Sequence, residues 1–230
     1  MGGDPHSPVI VKVCGVRTPE IAEVALEAGA SWLGLVLVAD SPRYVDDAAA
    51  RALVAVVRGR ADLVGVMVAP SAAQCDQAAD RYRLAAVQVH GTVAPWLAWE
   101  AAVPVIRAIN VGEATAAYRE VWWPDCTLLV DAAPSAHEAL PGGTGIRVDE
   151  VAAAALARHR RVILAGGLTP GNVAEAIARV RPDGVDASSG LETAPGTKDP
   201  ARVAAFVGAA REAFASLSAF GVPAAAGLAP

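Results

Sequence analysis

Short apolar segments alternate with alanine-rich segments of helical period along nearly the whole chain. The apolar segments are rich in Val, Ile and Leu, and their hydrophobicity is continuous, which is typical of strands covered on both faces, as in parallel sheets. The eight predicted strands are Val9–Cys14, Trp32–Val38, Leu63–Val68, Ala85–Val89, Val105–Ile109, Thr127–Asp131, Arg161–Leu164 and Gly184–Ala187. The eight predicted helices are Pro19–Ala28, Asp46–Val57, Ser71–Tyr82, Ala94–Ala101, Glu113–Arg119, Val148–Arg158, Gly171–Arg179 and Pro200–Leu217.

Eight strand–helix pairs within 230 residues, with no linker between them, predict the α/β class and a single (β/α)8 barrel, or TIM barrel. The alternative is an open, doubly wound parallel sheet. The count of eight and the positions of the glycine-rich loops favour the barrel. We expect residues 1–217 to form the barrel and residues 218–230 to form an apolar, loose C-terminal tail, because Gly221, Pro223 and Gly227 interrupt any helix there.

Composition limits the classes of function. Hydrophobic residues make up 54% of the chain and charged residues 19%, which excludes a disordered protein. The net charge of −5 argues against a nucleic-acid partner. Three cysteines without metal-ligand spacing suggest reduced thiols and no metal site. The first residues show no apolar signal segment, and we expect a cytoplasmic protein with no membrane contact.

Two glycine-rich loops are candidates for a phosphate site. In a TIM barrel the active site lies at the carboxyl ends of the strands, and the loops after strands seven and eight commonly hold a phosphate. Gly166-Gly167 follows the seventh predicted strand, and Ser188-Ser189-Gly190 follows the eighth. Glycine lets backbone N–H groups approach an anion closely. A third loop, Gly142–Gly145, could be a lid hinge, a second anion site or a plain turn.

A thiol and a carboxyl group end the first and sixth predicted strands. Cys14 could act as a general base if a nearby cation such as Lys12 lowers its pKa, and Asp131 could act as a general acid if it is partly desolvated. The structural alternatives are a small buried hydrophobe for Cys14 and a loop cap for Asp131. Arg43, in the loop after the second strand, offers a planar fork for a substrate carboxylate or is a solvated loop charge.

Seven segments in order resemble phosphoribosylanthranilate isomerases of tryptophan biosynthesis, from about residue 9 to about residue 214. The segments are Lys12–Gly15, Ser41–Val45, Val87–Gly91, Leu128–Asp131, Gly142–Gly145, Leu164–Leu168 and Val185–Glu192. Each segment is weakly specific alone, whereas seven in the same order are highly specific. The chain departs from the family where Val148-Asp149-Glu150 stands in place of a usual Phe-Asp-Trp segment.

The resemblance implies an Amadori rearrangement of N-(5-phosphoribosyl)anthranilate, without a metal or an organic cofactor. It implies that Asp131 is the general acid, that Cys14 is the general base and that Arg43 binds the anthranilate carboxylate. The implied substrate-binding residues further include Gly143, Gly166, Gly167, Ser188, Ser189 and Gly190. The expected partner is this small phosphorylated substrate, and the expected assembly is a monomer or a homodimer.

Two other functions remain possible at the level of sequence. One is another sugar-phosphate isomerase on a related barrel, acting in the histidine pathway or on two substrates. Such enzymes carry an aspartate in the place of Cys14 and a stronger two-half repeat, which this chain does not show. The other is a non-catalytic barrel that binds a phosphorylated ligand, against which the joint presence of Cys14 and Asp131 argues.

Overall fold

The computed structural model describes residues 9–110, 126–131 and 150–219, and in it the eight predicted strands close into a barrel. Every neighbouring pair is parallel, the strands follow one another in chain order, and β8 pairs with β1. The strands are β1 Ile10–Cys14, β2 Trp32–Val36, β3 Asp62–Val68, β4 Ala86–His90, β5 Val105–Asn110, β6 Thr127–Asp131, β7 Val162–Leu164 and β8 Gly184–Ala187. The barrel is confirmed, and the open sheet is excluded.

The helices of the described residues follow the strands as predicted. They are α1 Pro19–Ala28, α2 Asp47–Val57, α3 Ala72–Tyr82, α4 Leu97–Glu100, α5 Glu150–Ala157, α6 Val173–Val180 and α7 Pro200–Ala219. The predicted helix Glu113–Arg119, the start of the predicted helix Val148–Arg158 and most of the predicted tail lie outside the described residues.

Local capping sets the start of the first three helices, of which α1 begins at the predicted residue and α2 and α3 begin one residue later. Thr18 accepts a hydrogen bond from the Ile21 N–H, with Pro19 at the first helical position. Asp46 accepts from the Ala49 N–H. Ser71 and Gln74 form a capping box, in which each side chain binds the backbone N–H of the other. These contacts fix the loops that leave the barrel mouth.

Helix α4 is much shorter than predicted. Ala94–Ala101 was expected to be helical, but only Leu97–Glu100 is. Pro95 disfavours helical backbone at the residue before it, and Trp96 caps the helix without a side-chain hydrogen bond. Helix α6 likewise starts at Val173 rather than at Gly171.

The core has two layers. Outward-facing strand residues pack against the helices in one large cluster that includes Val11, Val13 and Leu33. A smaller cluster fills the barrel interior and includes Ile10, Leu129 and Ile163. Because alternate residues of a strand share a face, Lys12 and Cys14 continue the inward row that Ile10 begins. The barrel interior therefore becomes polar toward the carboxyl ends of the strands.

A small antiparallel hairpin follows the last barrel strand. It consists of β9 Glu192–Ala194 and β10 Thr197–Lys198, and a single 3-10 turn, Ser189–Leu191, joins it to β8. An added Cβ on Gly196 would lie 2.2 Å from the Pro42 carbonyl oxygen, so the hairpin packs directly on the loop after β2. Within the described part of the chain, no helix has the length and hydropathy needed to cross a membrane.

Candidate active site

A buried ion pair lies in the barrel beneath the first strand's end. The Lys12 ammonium is 3.0 Å from a carboxylate oxygen of Asp186, and the Lys12 side chain is fully buried. The two residues are direct register partners on β1 and β8. Burial lowers the pKa of Lys12, but its attraction to Asp186 and Cys14 outweighs burial and raises that pKa above its usual value. Lys12 is therefore a fixed positive charge in the barrel.

Cys14 lies one inward position above Lys12, at the carboxyl end of β1. It is buried, and an added Cβ on its register partner Gly34 would stand 2.8 Å from the Cys14 Sγ. Burial raises the pKa of the thiol, while Lys12 and Lys198 act in the opposite direction. The net direction is upward, so the cations do not bring the pKa of Cys14 below its usual value. The desolvation of the thiol outweighs the cations.

Asp131, at the end of β6, shares one cleft with both predicted phosphate loops. Gly166 and Gly167 line this cleft after β7, and Ser188-Ser189-Gly190 line it after β8. Strands β7 and β8 separate β6 from β1 around the barrel, so Asp131 and Cys14 face the mouth from different sides. The structure thus brings the predicted carboxyl group and the predicted anion loops together.

The backbone of the two loops requires glycine. Gly166 and Gly167 have φ angles of 89° and 65°, in the left-handed region. An added Cβ on Gly190 would lie 2.0 Å from the Leu168 carbonyl oxygen, so the loops touch through their backbones. Among the described residues, the backbone N–H groups of Gly167 and Ser189 have no protein acceptor. These N–H groups are available to an anion.

Asn172 holds the first of these loops. Its side-chain oxygen accepts from the Thr169 N–H at 2.8 Å, and its side-chain amide donates to the Gly167 carbonyl at 2.9 Å. Sequence reasoning placed Asn172 near the start of a helix but gave it no role in the site. The sequence feature that could have assigned Asn172 to the site is its position five residues after the Gly166-Gly167 pair. An Asn side chain at such a position readily forms hydrogen bonds with the loop backbone.

Arg43 reaches the site from the loop after β2. Its Nε and Nη2 each donate to Glu192 at 2.8 Å, a bidentate ion pair between residues 149 positions apart. Its methylene groups lie over Gly15, where an added Cβ would stand 2.8 Å from the Arg43 Cδ. Arg43 is therefore not the solvated loop charge of the alternative interpretation. Among the described residues Nη1 has no hydrogen-bond acceptor, so the Nη1–Nη2 edge can take a second carboxylate.

Glu192 also binds a second cation. Lys198, on the other strand of the hairpin, places its Nζ 2.5 Å from a Glu192 carboxylate oxygen and 3.4 Å from the Ser188 hydroxyl. The sequence analysis includes Glu192 in the segment Val185–Glu192 but assigns it no role, and it does not identify Lys198 as part of the site. Both residues follow β8, in a part of the chain for which the sequence analysis predicts no strand.

His90 faces the barrel interior from β4, whereas Arg107 on β5 alternates with the inward-facing Ile106 and Ala108. Burial, together with the positive charges of Lys12 and Arg107, lowers the pKa of His90 to about 4, so the ring is neutral near pH 7. Its Nε2 is 2.7 Å from the Gln88 amide nitrogen. Arg107 donates to the Gly91 carbonyl at 2.8 Å. Its neutral ring and its contact with Gln88 make His90 a structural part of the site's wall rather than a base.

The remaining predictions concern the Gly142–Gly145 loop, the other two cysteines and a metal site. Gly143 and the rest of the Gly142–Gly145 loop lie outside the described residues. Cys75 is buried in α3, where burial raises its pKa to about 11, and Cys126 is partly buried just before β6. Over residues 9–110, 126–131 and 150–219, no group of three or more His, Cys, Asp or Glu side chains could hold a metal ion.

The fold and the site define a TIM barrel whose loops after β7 and β8 offer backbone N–H groups to an anion and whose mouth also carries a thiol and a carboxyl group. The sequence model of the family described as N-(5'-phosphoribosyl)anthranilate (PRA) isomerase matches residues 11–209. The chain therefore belongs to this family.

Curated relatives and solved structures carry the same description. The N-(5'-phosphoribosyl)anthranilate isomerase of Azorhizobium caulinodans is 41% identical over 212 residues, 90% of this chain and 93% of the relative. That of Trichlorobacter lovleyi is 39% identical over 205 residues, covering 88% of this chain and 98% of the relative. The Thermotoga maritima crystal structure has a TM-score of 0.79 and 31% identity over 89% of this chain and all of its own.

Proposed function

We propose that the protein converts N-(5-phosphoribosyl)anthranilate into 1-(2-carboxyphenylamino)-1-deoxyribulose 5-phosphate by an Amadori rearrangement. The observation that carries this proposal is the arrangement at one barrel mouth of Cys14, Asp131 and two loops with free backbone N–H groups. One structure of similar fold is described as a phosphoribosyl anthranilate isomerase in complex with reduced 1-(o-carboxyphenylamino)-1-deoxyribulose 5-phosphate. It has a TM-score of 0.77 and 31% identity, and covers 89% of this chain and 100% of its own.

In this proposal Asp131 is the general acid. It gives a proton to the ribose ring oxygen as the bond from that oxygen to C1′ breaks, and the anilino nitrogen supplies the electron pair that forms a Schiff base. Asp131 is partly buried at the end of β6 and lines the same cleft as the loops. A carboxyl group in such a position can deliver a proton at a fixed point of the sugar.

Cys14 is the general base of the second step. Its thiolate removes the proton from C2′ of the Schiff base, and the electron pair moves through C1′ to the nitrogen to give an enolamine. A proton then adds at C1′ and one leaves the C2′ hydroxyl, which yields the ketone without any external oxidant. Lys12 lies below Cys14 and is held by Asp186 of the neighbouring strand. Its positive charge stabilises the thiolate that burial would otherwise disfavour.

The two ends of the substrate carry negative charges, and the site offers a partner for each. The phosphate binds the backbone N–H groups near Gly167 and Ser189. The anthranilate carboxylate binds the Nη1–Nη2 edge of Arg43, whose other edge Glu192 holds in place. The substrate would then span the mouth between β2 and β8.

We further propose that the enzyme works in the cytoplasm as a monomer or a homodimer and needs neither a metal nor an organic cofactor. One similar structure, with a TM-score of 0.76 and 30% identity, covers 89% of this chain and 100% of its own. It is described as mutually generated monomers of a dimeric isomerase of Thermotoga maritima. Sedimentation of the purified protein measures the assembly, and dialysis against a chelator that abolished turnover would contradict the absence of a metal.

The decisive experiment measures turnover of phosphoribosylanthranilate by its loss of fluorescence. The same preparation is assayed with the aminoaldose substrate of the histidine-pathway isomerase. Turnover of the first substrate alone supports the proposal. Turnover of the second substrate, or binding of phosphorylated ligands without turnover, would support one of the alternative functions instead.

A further inference from the structure

A buried carboxylate at the barrel mouth lies between two cations. The Glu192 side chain is only 5% exposed, and it receives both donors from Arg43 and a contact of 2.5 Å from Lys198. The proposed mechanism uses Glu192 only to hold Arg43 in place, and it gives Lys198 no role in binding the substrate. The question is what this arrangement does beyond holding a loop.

The net charge of this cluster determines whether Arg43 can bind a second carboxylate beside Glu192. Arg43 and Glu192 alone would be a neutral pair, and a second carboxylate brought to the free edge of Arg43 would make the group net negative. Two carboxylates near one cation repel each other strongly in a partly buried site. Lys198 adds one positive charge, so Arg43, Glu192 and Lys198 together carry a net charge of +1 before a ligand binds.

We propose that Lys198 is a positioning residue that determines specificity for a carboxylated substrate, because its charge offsets Glu192 and leaves Arg43 free to bind the substrate carboxylate. This inference rests on the proposed function, in which that carboxylate belongs to anthranilate. The Lys198 side chain is 2% exposed and is directed to Glu192 and Ser188. It therefore acts through Glu192 and Arg43 and does not itself touch the substrate.

The ionisation of Glu192 agrees with this role. Burial raises the pKa of Glu192, but the hydrogen bonds from Arg43 and Lys198 outweigh burial and hold that pKa below its usual value. Glu192 is thus a permanent negative charge beside Arg43. Replacing Lys198 leaves Glu192 paired with Arg43, so the hairpin retains a partner for its buried carboxylate.

The test measures equilibrium binding of two ligands by calorimetry. One is the reduced carboxyphenylamino-deoxyribulose phosphate, and the other is the same molecule with hydrogen in place of the carboxylate. Lys198→Met should weaken binding of the carboxylated ligand by about tenfold or more, because the ligand then meets a neutral pair. It should change binding of the carboxylate-free ligand by less than about threefold, since that ligand does not add a charge at Arg43.

Two rescue variants separate charge from structure. Lys198→Arg keeps the charge and should stay within about threefold of the wild type for both ligands. The double variant Lys198→Met/Glu192→Gln removes both charges, returns Arg43 to a net charge of +1 and should recover most of the lost affinity. Arg202→Met is the matched control, because the Arg202 guanidinium binds the backbone carbonyl of Glu192 and the carboxylate of Asp199 but not the Glu192 side chain. It should bind both ligands like the wild type.

The outcomes are distinguishable. Equal loss for both ligands in Lys198→Met, or no recovery in the double variant despite an unchanged melting temperature, would overturn the inference while leaving the proposed function intact. The same would follow if Lys198→Met bound the carboxylated ligand normally. A wild type that does not bind the carboxylated ligand would overturn the proposed function and this inference together.

Discussion

The sulfur of Cys14 occupies the space in which a side chain at residue 34 would stand. An added Cβ on Gly34 would lie 2.8 Å from the Cys14 Sγ and 3.0 Å from its Cα, and the second of these atoms belongs to the strand backbone. The two residues are register partners on β1 and β2. The orientation of the proposed base therefore depends on a glycine in the neighbouring strand.

Gly34→Ala should lower kcat by about 10- to 100-fold, since a displacement of about 1 Å at a reacting group costs rates of that order. The variant should also alter the rate at which iodoacetamide alkylates Cys14. The matched control is Gly208→Ala in α7, where an added Cβ meets nothing within 4 Å. The control should retain activity and gain about 0.5–1 kcal/mol of unfolding free energy. A fully active Gly34→Ala would show that the base tolerates displacement.

Cys14→Ser and Asp131→Asn should each lower turnover at least about 100-fold, because a positioned general acid or base typically contributes factors of about 10² to 10⁴. Cys75→Ser should be nearly silent, since Cys75 is buried in α3 away from the mouth. Circular dichroism checks that each variant is folded. Activity within a few-fold of the wild type would remove that residue from its proposed role.

Gly190→Ala should raise the KM more than it lowers kcat. Its added Cβ would stand 2.0 Å from the Leu168 carbonyl oxygen, which forces the two proposed phosphate loops apart. Inorganic phosphate should compete correspondingly less well with substrate in this variant. A crystal grown in sulfate should show the anion bonded to N–H groups near Gly167 and Ser189 in the wild type. Those N–H groups facing only water in such a crystal would count against the phosphate site.

Arg43→Lys should lose activity although it keeps the charge, because an ammonium cannot serve Glu192 and a substrate carboxylate through two planar edges. Arg43→Ala should lose more. The loss in kcat/KM should shrink for a substrate analogue that has hydrogen in place of the carboxylate. If Arg43→Ala harmed that analogue equally, Arg43 would be holding the hairpin rather than the substrate.

The folded protein should lose stability as the pH falls from about 6.5 toward 4. His90 has a pKa of about 4 in the fold against 6.5 when unperturbed, so the unfolded chain binds the extra proton first. The contribution of His90 is complete above pH 6.5 and should fall by up to about 3 kcal/mol as the pH falls to 4. Urea unfolding of the wild type and His90→Gln across this range measures the difference. His159→Gln, at an exposed position, is the control and should follow the wild type.

Local patterns were sufficient to predict the architecture. Continuous apolar segments predict buried parallel strands, and the first three predicted helices begin within one residue of the observed ones because capping by a nearby side chain sets each start. The carboxyl ends of parallel strands meet at one rim, so Asp131, Gly167 and Ser189 could be expected in one cleft. Each of these inferences needs only nearby residues and the geometry of a closed barrel.

The electrostatics of the site could not be predicted in this way. Arg43 and Glu192 are 149 positions apart, and no periodic sequence pattern indicates that they form an ion pair. The rise in the pKa of Cys14 depends on how completely the barrel buries the thiol, which sequence spacing does not give. The contact of Lys198 with Glu192 depends on the fold of the hairpin Glu192–Lys198, for which the sequence analysis predicts no secondary structure.

The closure between β8 and β1 bears on the order in which the protein becomes functional during synthesis. Lys12 leaves the ribosome early, whereas its counter-charge Asp186 and the partner of Arg43, Glu192, follow only near the end of the barrel. A nascent chain without β8 and its hairpin thus leaves Lys12 and Arg43 without these counter-charges and Cys14 without its enclosing strand. Translation products that end before β8 should therefore be inactive.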